Sequence, residues 1–332
     1  MKPAVLVARA VFPETVARLR TVFEVEDNPE DRIYSAEELS RRLQGKAGAF
    51  LTASERIDAA MLDAHPQLRA VCNMAVGYNN VDVAACTARG VLVTNTPDVL
   101  TETTADFGFA LMMATARRIA ESEHFLRSGQ WNKWAYDMFT GPDVHGATLG
   151  ILGMGRIGQA IARRGALGFG MRVIYHNRSR LPADKESPIG ARFVDKDSLL
   201  READHLILVL PYSASSHHAI GAAELALMKP TATLTNIARG GIVDDAALAV
   251  ALRDRVIAAA GLDVFEGEPS VHPALLQVPN VVLTPHIASA TVTTRRAMAD
   301  LAADNLIAAL GFGPTPGRPP SLLNPEVLTG RA

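Results

Sequence analysis

The 332-residue sequence has few cysteines and no excess of either charge. Its two cysteines, Cys72 and Cys86, lie in apolar or helical surroundings, which argues against a disulfide framework and favours a reducing cytoplasm. A formal net charge of −2 gives no sign of a nucleic-acid partner. No apolar run approaches the roughly 18 residues of a membrane span. The short apolar run at the start is expected to be a strand rather than a signal segment.

A hydrophobic content of 48% and a charged content of 20% are those of a globular protein, and the length favours two domains. Short apolar segments alternate with helical spacing through two successive series, which predicts parallel α/β sheets. The predicted strands are 4–8, 23–25, 49–51, 70–72 and 91–93, then 148–152, 172–175, 192–194, 206–210, 233–236, 258–262 and 281–284. Long helices are predicted over 101–127 and 288–310, followed by a Gly- and Pro-rich tail without regular structure.

One glycine-rich turn carries the clearest functional motif. Gly153, Gly155 and Gly158 fit G-x-G-x-x-G, between a predicted strand and a predicted helix. The first glycine allows the tight turn, the second lets a pyrophosphate approach the backbone, and the third lets the helix lie close to the sheet. A plain βα turn is the structural alternative. We expect a dinucleotide to bind at this segment: Gly153, Met154, Gly155, Arg156, Ile157 and Gly158.

The residues after the next strand distinguish between the two nicotinamide cofactors. An NAD site places an acidic residue about 20 positions beyond the glycines. Here Arg178 stands 20 residues beyond Gly158, and the next carboxylate is Asp184. Two arginines suit a 2′-phosphate, which a carboxylate would repel. A solvated basic loop is the alternative. We expect NADPH to be preferred over NADH, with contacts from Asn177, Arg178, Ser179 and Arg180.

Three polar side chains follow later predicted strands. Arg239, Glu268 and His286 each stand shortly after a strand end, where open α/β sheets bind ligands. Arginine can bind a carboxylate through two hydrogen bonds, and a carboxylate beside a histidine favours the protonated imidazole. Such a histidine can protonate a developing alkoxide. Taken singly, the three also fit an ion pair, a turn residue and a loop histidine. Together they predict reduction of a 2-keto acid.

At this point the sequence resembles the D-isomer-specific 2-hydroxyacid dehydrogenases over nearly its whole length. The resemblance rests on segments 75–82, 96–106, 150–158, 238–244, 261–269 and 285–291. Within the family, residues 1–3 and 97–103 resemble the bacterial glyoxylate/hydroxypyruvate reductase B group, also called 2-ketogluconate reductases. The resemblance implies a flavodoxin-like substrate domain, residues 1–100 plus 288–332. It also implies a Rossmann NAD(P)-binding domain, residues 101–287.

The resemblance also implies roles for individual residues. Arg239 binds the substrate, His286 is the general acid, and Glu268 keeps His286 protonated. Further cofactor contacts are implied for Leu210, Pro211, Ile237, Ala238 and Asp263. Further substrate contacts are implied for Val76, Gly77, Leu100 and Trp134.

The resemblance implies that Trp134 reaches the site of a neighbouring subunit, and hence a homodimer. Trp131 and Trp134 also fit plain interface or core positions. No metal is implied. An alternative function is that of a nucleotide-sensing scaffold of the C-terminal-binding-protein corepressor type, which keeps the same Arg, Glu and His. The sequence leaves open which keto acid is the physiological substrate: glyoxylate, hydroxypyruvate or 2-ketogluconate.

Overall fold

The computed structural model describes residues 1–329, and the chain divides into two compact units. One unit joins Met1–Leu100 to the chain from Thr291 onward, and the other is the continuous segment Thr101–Ala290. Each contains one sheet whose neighbouring strands run parallel. The prediction of two doubly wound α/β sheets is confirmed.

The strands of the described residues are numbered along the chain. They are β1 (Ala4–Val7), β2 (Glu24–Asp27), β3 (Gly48–Leu51), β4 (Ala70–Asn73), β5 (Leu92–Thr94), β6 (Thr148–Leu152), β7 (Arg172–His176), β8 (Arg192–Phe193), β9 (His205–Leu208), β10 (Thr233–Asn236), β11 (Ala259–Leu262) and β12 (Val281–Leu283).

The α-helices of the same residues are numbered in the same way. They are α1 (Pro13–Val22), α2 (Ala36–Leu43), α3 (Ala59–Ala64), α4 (Val83–Ala88), α5 (Thr101–Ala116), α6 (Ile119–Arg127), α7 (Arg156–Arg163), α8 (Ala183–Glu186), α9 (Lys196–Glu202), α10 (Ala222–Leu225), α11 (Asp245–Arg253), α12 (Val292–Ala309) and α13 (Glu326–Thr329).

The two sheets have different strand orders. The first runs β2-β1-β3-β4-β5, which is the flavodoxin-like order. The second runs β12-β11-β10-β9-β6-β7-β8, which is the Rossmann order with one added strand. Helices cover both faces of such sheets, so every residue of the central strands β6, β9, β10 and β11 is buried, including the polar ends of β10.

The second sheet reverses its strand order between β6 and β9. Open α/β sheets bind ligands at the carboxyl ends of the strands around such a point. The glycine turn follows β6, and the basic loop follows β7. Segments containing Arg239, Glu268 and His286 follow β10, β11 and β12. Parallel pairing therefore brings these loops to one edge of the second sheet.

The prediction of one helix over 101–127 is wrong. The structure has two helices, α5 and α6, separated at Arg118, whose φ of 53° is left-handed. The chain at Gly141 lies against the end of α5, since a Cβ there would be 2.1 Å from the Ala116 carbonyl oxygen. α5 buries one face against β10 and β11, whereas α6 buries none of its residues. The apolar residues of α6 therefore do not continue the face of α5.

The last long helix begins later than predicted. The sequence indicated a start at residue 288, but α12 begins at Val292, where the Thr291 hydroxyl accepts a hydrogen bond from Thr294 N. The backbone amides of Ile287 and Ala288 donate to the Asp263 carboxylate instead (2.8 and 2.9 Å). These bonds keep 287–288 in a loop. Among residues 1–329, no helix combines the length and apolarity that a bilayer crossing requires.

Candidate active site and cofactor cradle

The turn between β6 and α7 requires glycine at two positions. Gly153 has a φ of 103°, and a Cβ there would lie 2.7 Å from the backbone nitrogen of Leu210. A Cβ at Gly158 would lie 2.5 Å from the carbonyl oxygen of Gly153. The first glycine therefore permits close contact with the chain after β9, and the third lets α7 pack on the turn.

The middle glycine leaves room for a ligand. A Cβ at Gly155 would meet no heavy atom within 4 Å. Gly155 is the N-cap of α7, and no side chain caps this helix. Helix N-termini attract anions through their backbone amides and dipole. Met154 is buried beneath the turn, while Arg156 and Ile157 begin the helix. The residues present therefore fit the pyrophosphate of a dinucleotide.

The loop after β7 is tied to the glycine turn through Asn177. Its side-chain oxygen accepts a hydrogen bond from the Met154 backbone nitrogen (2.7 Å). This contact fixes the amide so that its NH₂ group remains a donor. Arg178 and Ser179, the next two residues, are exposed. The loop therefore presents one amide, one guanidinium and one hydroxyl beyond the glycine turn.

Arg180 is held differently from Arg178. Its guanidinium donates to both carboxylate oxygens of Glu186, with Nη2 to Oε2 at 2.7 Å. The Tyr175 hydroxyl donates to the same carboxylate (2.6 Å). The hydrogen bond from Arg180, and then that from Tyr175, lower the pKa of Glu186 despite its burial. Arg180 therefore stabilises the loop through Glu186 and also adds positive charge to it.

Leu210, Pro211, Ile237 and Ala238 follow β9 and β10 at the same edge. Leu210 and Pro211 keep exposed surface, whereas Ile237 and Ala238 are buried. The Asn236 side chain accepts from Ala238 N (3.0 Å) and donates to the Arg239 carbonyl (3.2 Å). Asn236 thus shapes the loop that carries Arg239. Asn236 was not among the predicted site residues, although a polar residue ending a buried strand was an available signal.

Arg239 lies in a half-buried position above β10. Its Nη1 donates to the Ala238 carbonyl at 2.7 Å. Burial lowers the pKa of Arg239, and the negative charge of Glu268 opposes that change. A guanidinium starts so far above neutrality that it stays charged. Arg239 therefore supplies a fixed cation with further N–H donors to bind an anion.

The loops after β10 and β11 are in close backbone contact. A Cβ at Gly240 would lie 1.7 Å from the Phe265 carbonyl oxygen. The backbone amide of Phe265 in turn donates to Glu268 Oε1 (3.0 Å). The contact between Gly240 and Phe265 therefore links the Arg239 loop to the segment that orients Glu268. No sequence pattern indicated this role for Gly240.

Glu268 and His286 form a direct hydrogen bond. The distance from Glu268 Oε2 to His286 Nδ1 is 2.7 Å. Burial raises the pKa of Glu268, but the His286 contact, the Phe265 amide and the charge of Arg239 together bring it below its ordinary value. Glu268 is therefore a carboxylate near neutral pH. It engages Nδ1 of His286 and leaves Nε2 as the nitrogen for a reacting group.

Asp263 fixes the backbone that carries His286. It has no exposed surface, and its carboxylate accepts from Thr284 Oγ1 (2.7 Å) and from the amides of Ile287 and Ala288. Its carbonyl accepts from His286 N (2.9 Å). His286 itself has a left-handed φ of 54°. Asp263 therefore supports the His286 loop from beneath, and its predicted contact with the cofactor stays a prediction.

The remaining residues predicted to bind substrate lie elsewhere in the chain. Val76 and Gly77 follow β4 in the other unit, where their carbonyls accept from the side chains of Asn95 and Asn73. Leu100, at the end of that segment, is buried. Trp134 is 75% exposed and Trp131 is 54% exposed, so neither is a core residue of its own chain.

The second sheet and its glycine turn define a dinucleotide-binding protein of the Rossmann class. Residues 109–288 match the family model for the D-isomer specific 2-hydroxyacid dehydrogenase NAD binding domain. The chain belongs to the D-isomer-specific 2-hydroxyacid dehydrogenase family and uses a nicotinamide cofactor.

Relatives and solved structures match nearly the full length. A glyoxylate reductase of Thermococcus onnurineus is 50% identical over 100% of this chain and 98% of its own. The structure of an NADPH-dependent glyoxylate/hydroxypyruvate reductase from Sinorhizobium meliloti, in complex with NADP and malonate, is 38% identical with a TM-score of 0.84, covering 97% of each chain. A glyoxylate reductase from Paecilomyes thermophila is 32% identical with a TM-score of 0.86, covering 98% of this chain and 99% of its own.

Proposed function

We propose that this protein is an NADPH-preferring reductase that converts glyoxylate and related small 2-keto acids into D-2-hydroxy acids. Hydroxypyruvate and 2-ketogluconate are the related substrates to test. The observation that carries the proposal is the hydrogen bond between Glu268 and His286, in the same unit as Arg239 and the glycine turn. The glyoxylate reductases among the similar proteins support the choice of substrate.

Each of the three side chains has a distinct role in this proposal. Arg239 binds the carboxylate of the keto acid and polarises its carbonyl through the remaining N–H donors. Nε2 of His286 donates a proton to the carbonyl oxygen as that oxygen gains negative charge. Glu268 stabilises the protonated imidazole and holds its orientation through Nδ1. When bound, the nicotinamide supplies the hydride that the carbonyl carbon accepts.

The preference for NADPH rests on the loop after β7. Arg178 is the exposed cation that binds the 2′-phosphate, with the Asn177 amide and the Ser179 hydroxyl as neutral donors. Arg180 forms an ion pair with Glu186 and adds positive charge to the same loop. The NADP-bound Sinorhizobium meliloti reductase is a related precedent.

The proposal extends to the remaining predicted residues. Val76, Gly77 and Leu100 contact the substrate, within a substrate domain formed by residues 1–100 and 288–332. Residues 101–287 form the cofactor domain, where Leu210, Pro211, Ile237, Ala238 and Asp263 line the cofactor site. The exposed Trp134 belongs to the interface of a homodimer and contacts the substrate of the neighbouring subunit.

A steady-state substrate panel tests the reaction. NADPH oxidation is followed with glyoxylate, hydroxypyruvate and 2-ketogluconate, for the wild-type protein and for His286→Asn. We expect turnover of glyoxylate, with a kcat lowered about 10²- to 10⁴-fold in the variant because the general acid is lost. Tight NADPH binding without turnover of any keto acid would instead favour a nucleotide-sensing scaffold. Near-normal kcat in His286→Asn would exclude the assigned proton transfer.

The cofactor preference is tested with Arg178→Ala. The ratio of kcat/KM for NADPH to that for NADH should fall about tenfold or more, because hydrogen bonds to a charged phosphate are lost. Arg253→Ala removes the same charge from α11, where Arg253 pairs with Asp254, and should leave the ratio unchanged. A wild-type enzyme that prefers NADH would contradict the proposal outright.

A further inference from the structure

A second cluster of possible metal ligands lies outside the Glu268 and His286 pair. His217, His218 and Glu266 each place a ligand atom within 4.8 Å of the others. His218 Nε2 is 2.9 Å from Glu266 Oε2, and the His217 ring stacks on the His218 ring with centroids 3.9 Å apart. An ion pair accounts for the contact between His218 and Glu266, but His217 takes no part in that pair. Two imidazoles and a carboxylate together are a common ligand set for zinc.

The ligand atoms are close to the spacing that a metal needs. Tetrahedral Zn²⁺ with bonds near 2.0–2.1 Å separates its ligand atoms by about 3.4 Å. The widest separation in the cluster therefore has to shorten by up to about 1.4 Å, while the 2.9 Å contact between His218 and Glu266 opens by about 0.5 Å as the metal replaces it. The His218 ring must also turn for both imidazoles to bind one ion, because the Tyr212 contact holds the His217 ring. Both imidazoles lie at the surface, where that rotation displaces no core side chain.

The second ring nitrogen of His217 is already supported. Its Nδ1 lies 3.1 Å from the Tyr212 hydroxyl, which leaves Nε2 as the metal-binding atom. Histidine ligands of metals usually make such a contact through the other nitrogen, because it fixes the ring orientation. The backbone of His218 is fixed as well, since its amide donates to the Gly241 carbonyl at 2.7 Å.

A cavity of about 450 Å³ adjoins this cluster and is lined by several more acidic or imidazole side chains. His218 and Glu266 line it together with Asp244, Asp245 and His272. Asp244 Oδ2 lies 3.9 Å from His218 Nδ1. Three carboxylates around one cavity favour a cation, and the space admits the waters or small anion that complete its coordination.

We propose that His217, His218 and Glu266 form a binding site for a divalent transition metal, Zn²⁺ being the best match to their chemistry. The site is separate from Glu268 and His286, although Glu266 stands only two residues before Glu268. It does not depend on the proposed reductase activity, because binding is measured without substrate or cofactor.

Isothermal titration of the chelator-treated full chain with Zn²⁺ tests this site. We expect one Zn²⁺ per chain in the wild type, and at least about tenfold weaker binding in the double variant His217→Asn, His218→Asn because two ligands are lost. His145→Asn changes an exposed histidine outside the cluster and should bind like the wild type. Circular dichroism of each variant checks that it is folded.

His286→Asn separates this site from the catalytic pair. If the cluster holds the metal, this variant still binds one Zn²⁺ per chain. The proposal is overturned if the wild type binds no Zn²⁺, if the double variant binds it as tightly as the wild type, or if binding disappears with His286→Asn. Loading the chelator-treated chain with Co²⁺ instead of Zn²⁺ provides a spectroscopic readout, since the visible bands of tetrahedral Co²⁺ should be absent from the double variant.

Discussion

At the scale of single residues, the candidate site depends on how Glu268 and His286 are held in place, and not on their presence alone. Glu268 contacts the His286 imidazole at one oxygen and a backbone amide at the other. Asp263 fixes the loop of His286 through buried hydrogen bonds. Because both partners are held by backbone contacts, the imidazole has one defined orientation. That is the preorganisation a general acid requires.

The charge of Glu268 has a consequence for the pH dependence. Its pKa lies below the ordinary value, so the carboxylate is present at neutral pH and is lost only when the pH falls through that lowered pKa. In Glu268→Gln the negative charge is absent at every pH, and the protonated imidazole loses its stabilisation. We expect the alkaline fall of the reduction rate to move towards lower pH.

Measurement of kcat/KM against pH for both proteins tests this expectation. Glu202→Gln is a matched control, because Glu202 is a surface carboxylate paired with Arg192 and should leave the profile in place. An unmoved alkaline limb in Glu268→Gln would show that the carboxylate does not control the protonation that the reaction needs.

At the scale of elements, the loops after β10 and β11 contact each other directly through backbone atoms. Gly240 lies directly against the Phe265 carbonyl, and the Phe265 amide orients Glu268. Side-chain periodicity predicts strands and helices well, but it carries no information about which loops touch. The same limit explains the wrong prediction of one helix over 101–127. Its local spacing was helical throughout, whereas burial against β10 and β11 ends with α5.

Gly240→Ala tests the contact between these loops. A methyl group 1.7 Å from a backbone oxygen must displace one loop, so the free energy of unfolding should fall by about 1–3 kcal/mol. Because Glu268 moves with the Phe265 segment, kcat should fall as well. Gly168→Ala is the control: a Cβ there meets nothing within 4 Å, and stability should change by no more than about 0.5 kcal/mol. Denaturant unfolding and kinetics measure both effects, and equal results for the two variants would refute the argument.

At the scale of the whole molecule, one segment of the chain carries several exposed apolar side chains. α6 buries none of its residues, and Ile119, Leu126, Trp131, Trp134 and Tyr136 are all exposed between residues 119 and 136. An isolated helix of nine residues is marginal in water without packing. Exposed apolar patches of this kind mark contacts with other molecules. In the proposed homodimer, a second copy of the chain would cover these side chains.

We therefore expect a homodimer that Trp134→Ala weakens. Large aromatic side chains contribute strongly to interfaces, so the dimer dissociation constant should rise about tenfold or more. Analytical ultracentrifugation over a range of concentrations measures it. Leu167→Ala changes a side chain that is 72% exposed elsewhere in the same unit and should leave the constant unchanged. A wild-type protein that is monomeric at every concentration would contradict the prediction.

The sequence by itself determined the class of fold and the chemistry of the site. Apolar alternation specified two parallel α/β sheets, and the glycine spacing specified a dinucleotide turn, because both depend on local backbone geometry. The identities of Arg239, Glu268 and His286 were also readable, since each follows a strand end. The tertiary structure decided which side chains touch. Glu268 forms a hydrogen bond with His286, Asp263 holds the His286 loop through a backbone amide, and Arg180 pairs with Glu186, unlike the exposed Arg178. Contacts between residues distant in the chain depend on packing, which no local pattern encodes.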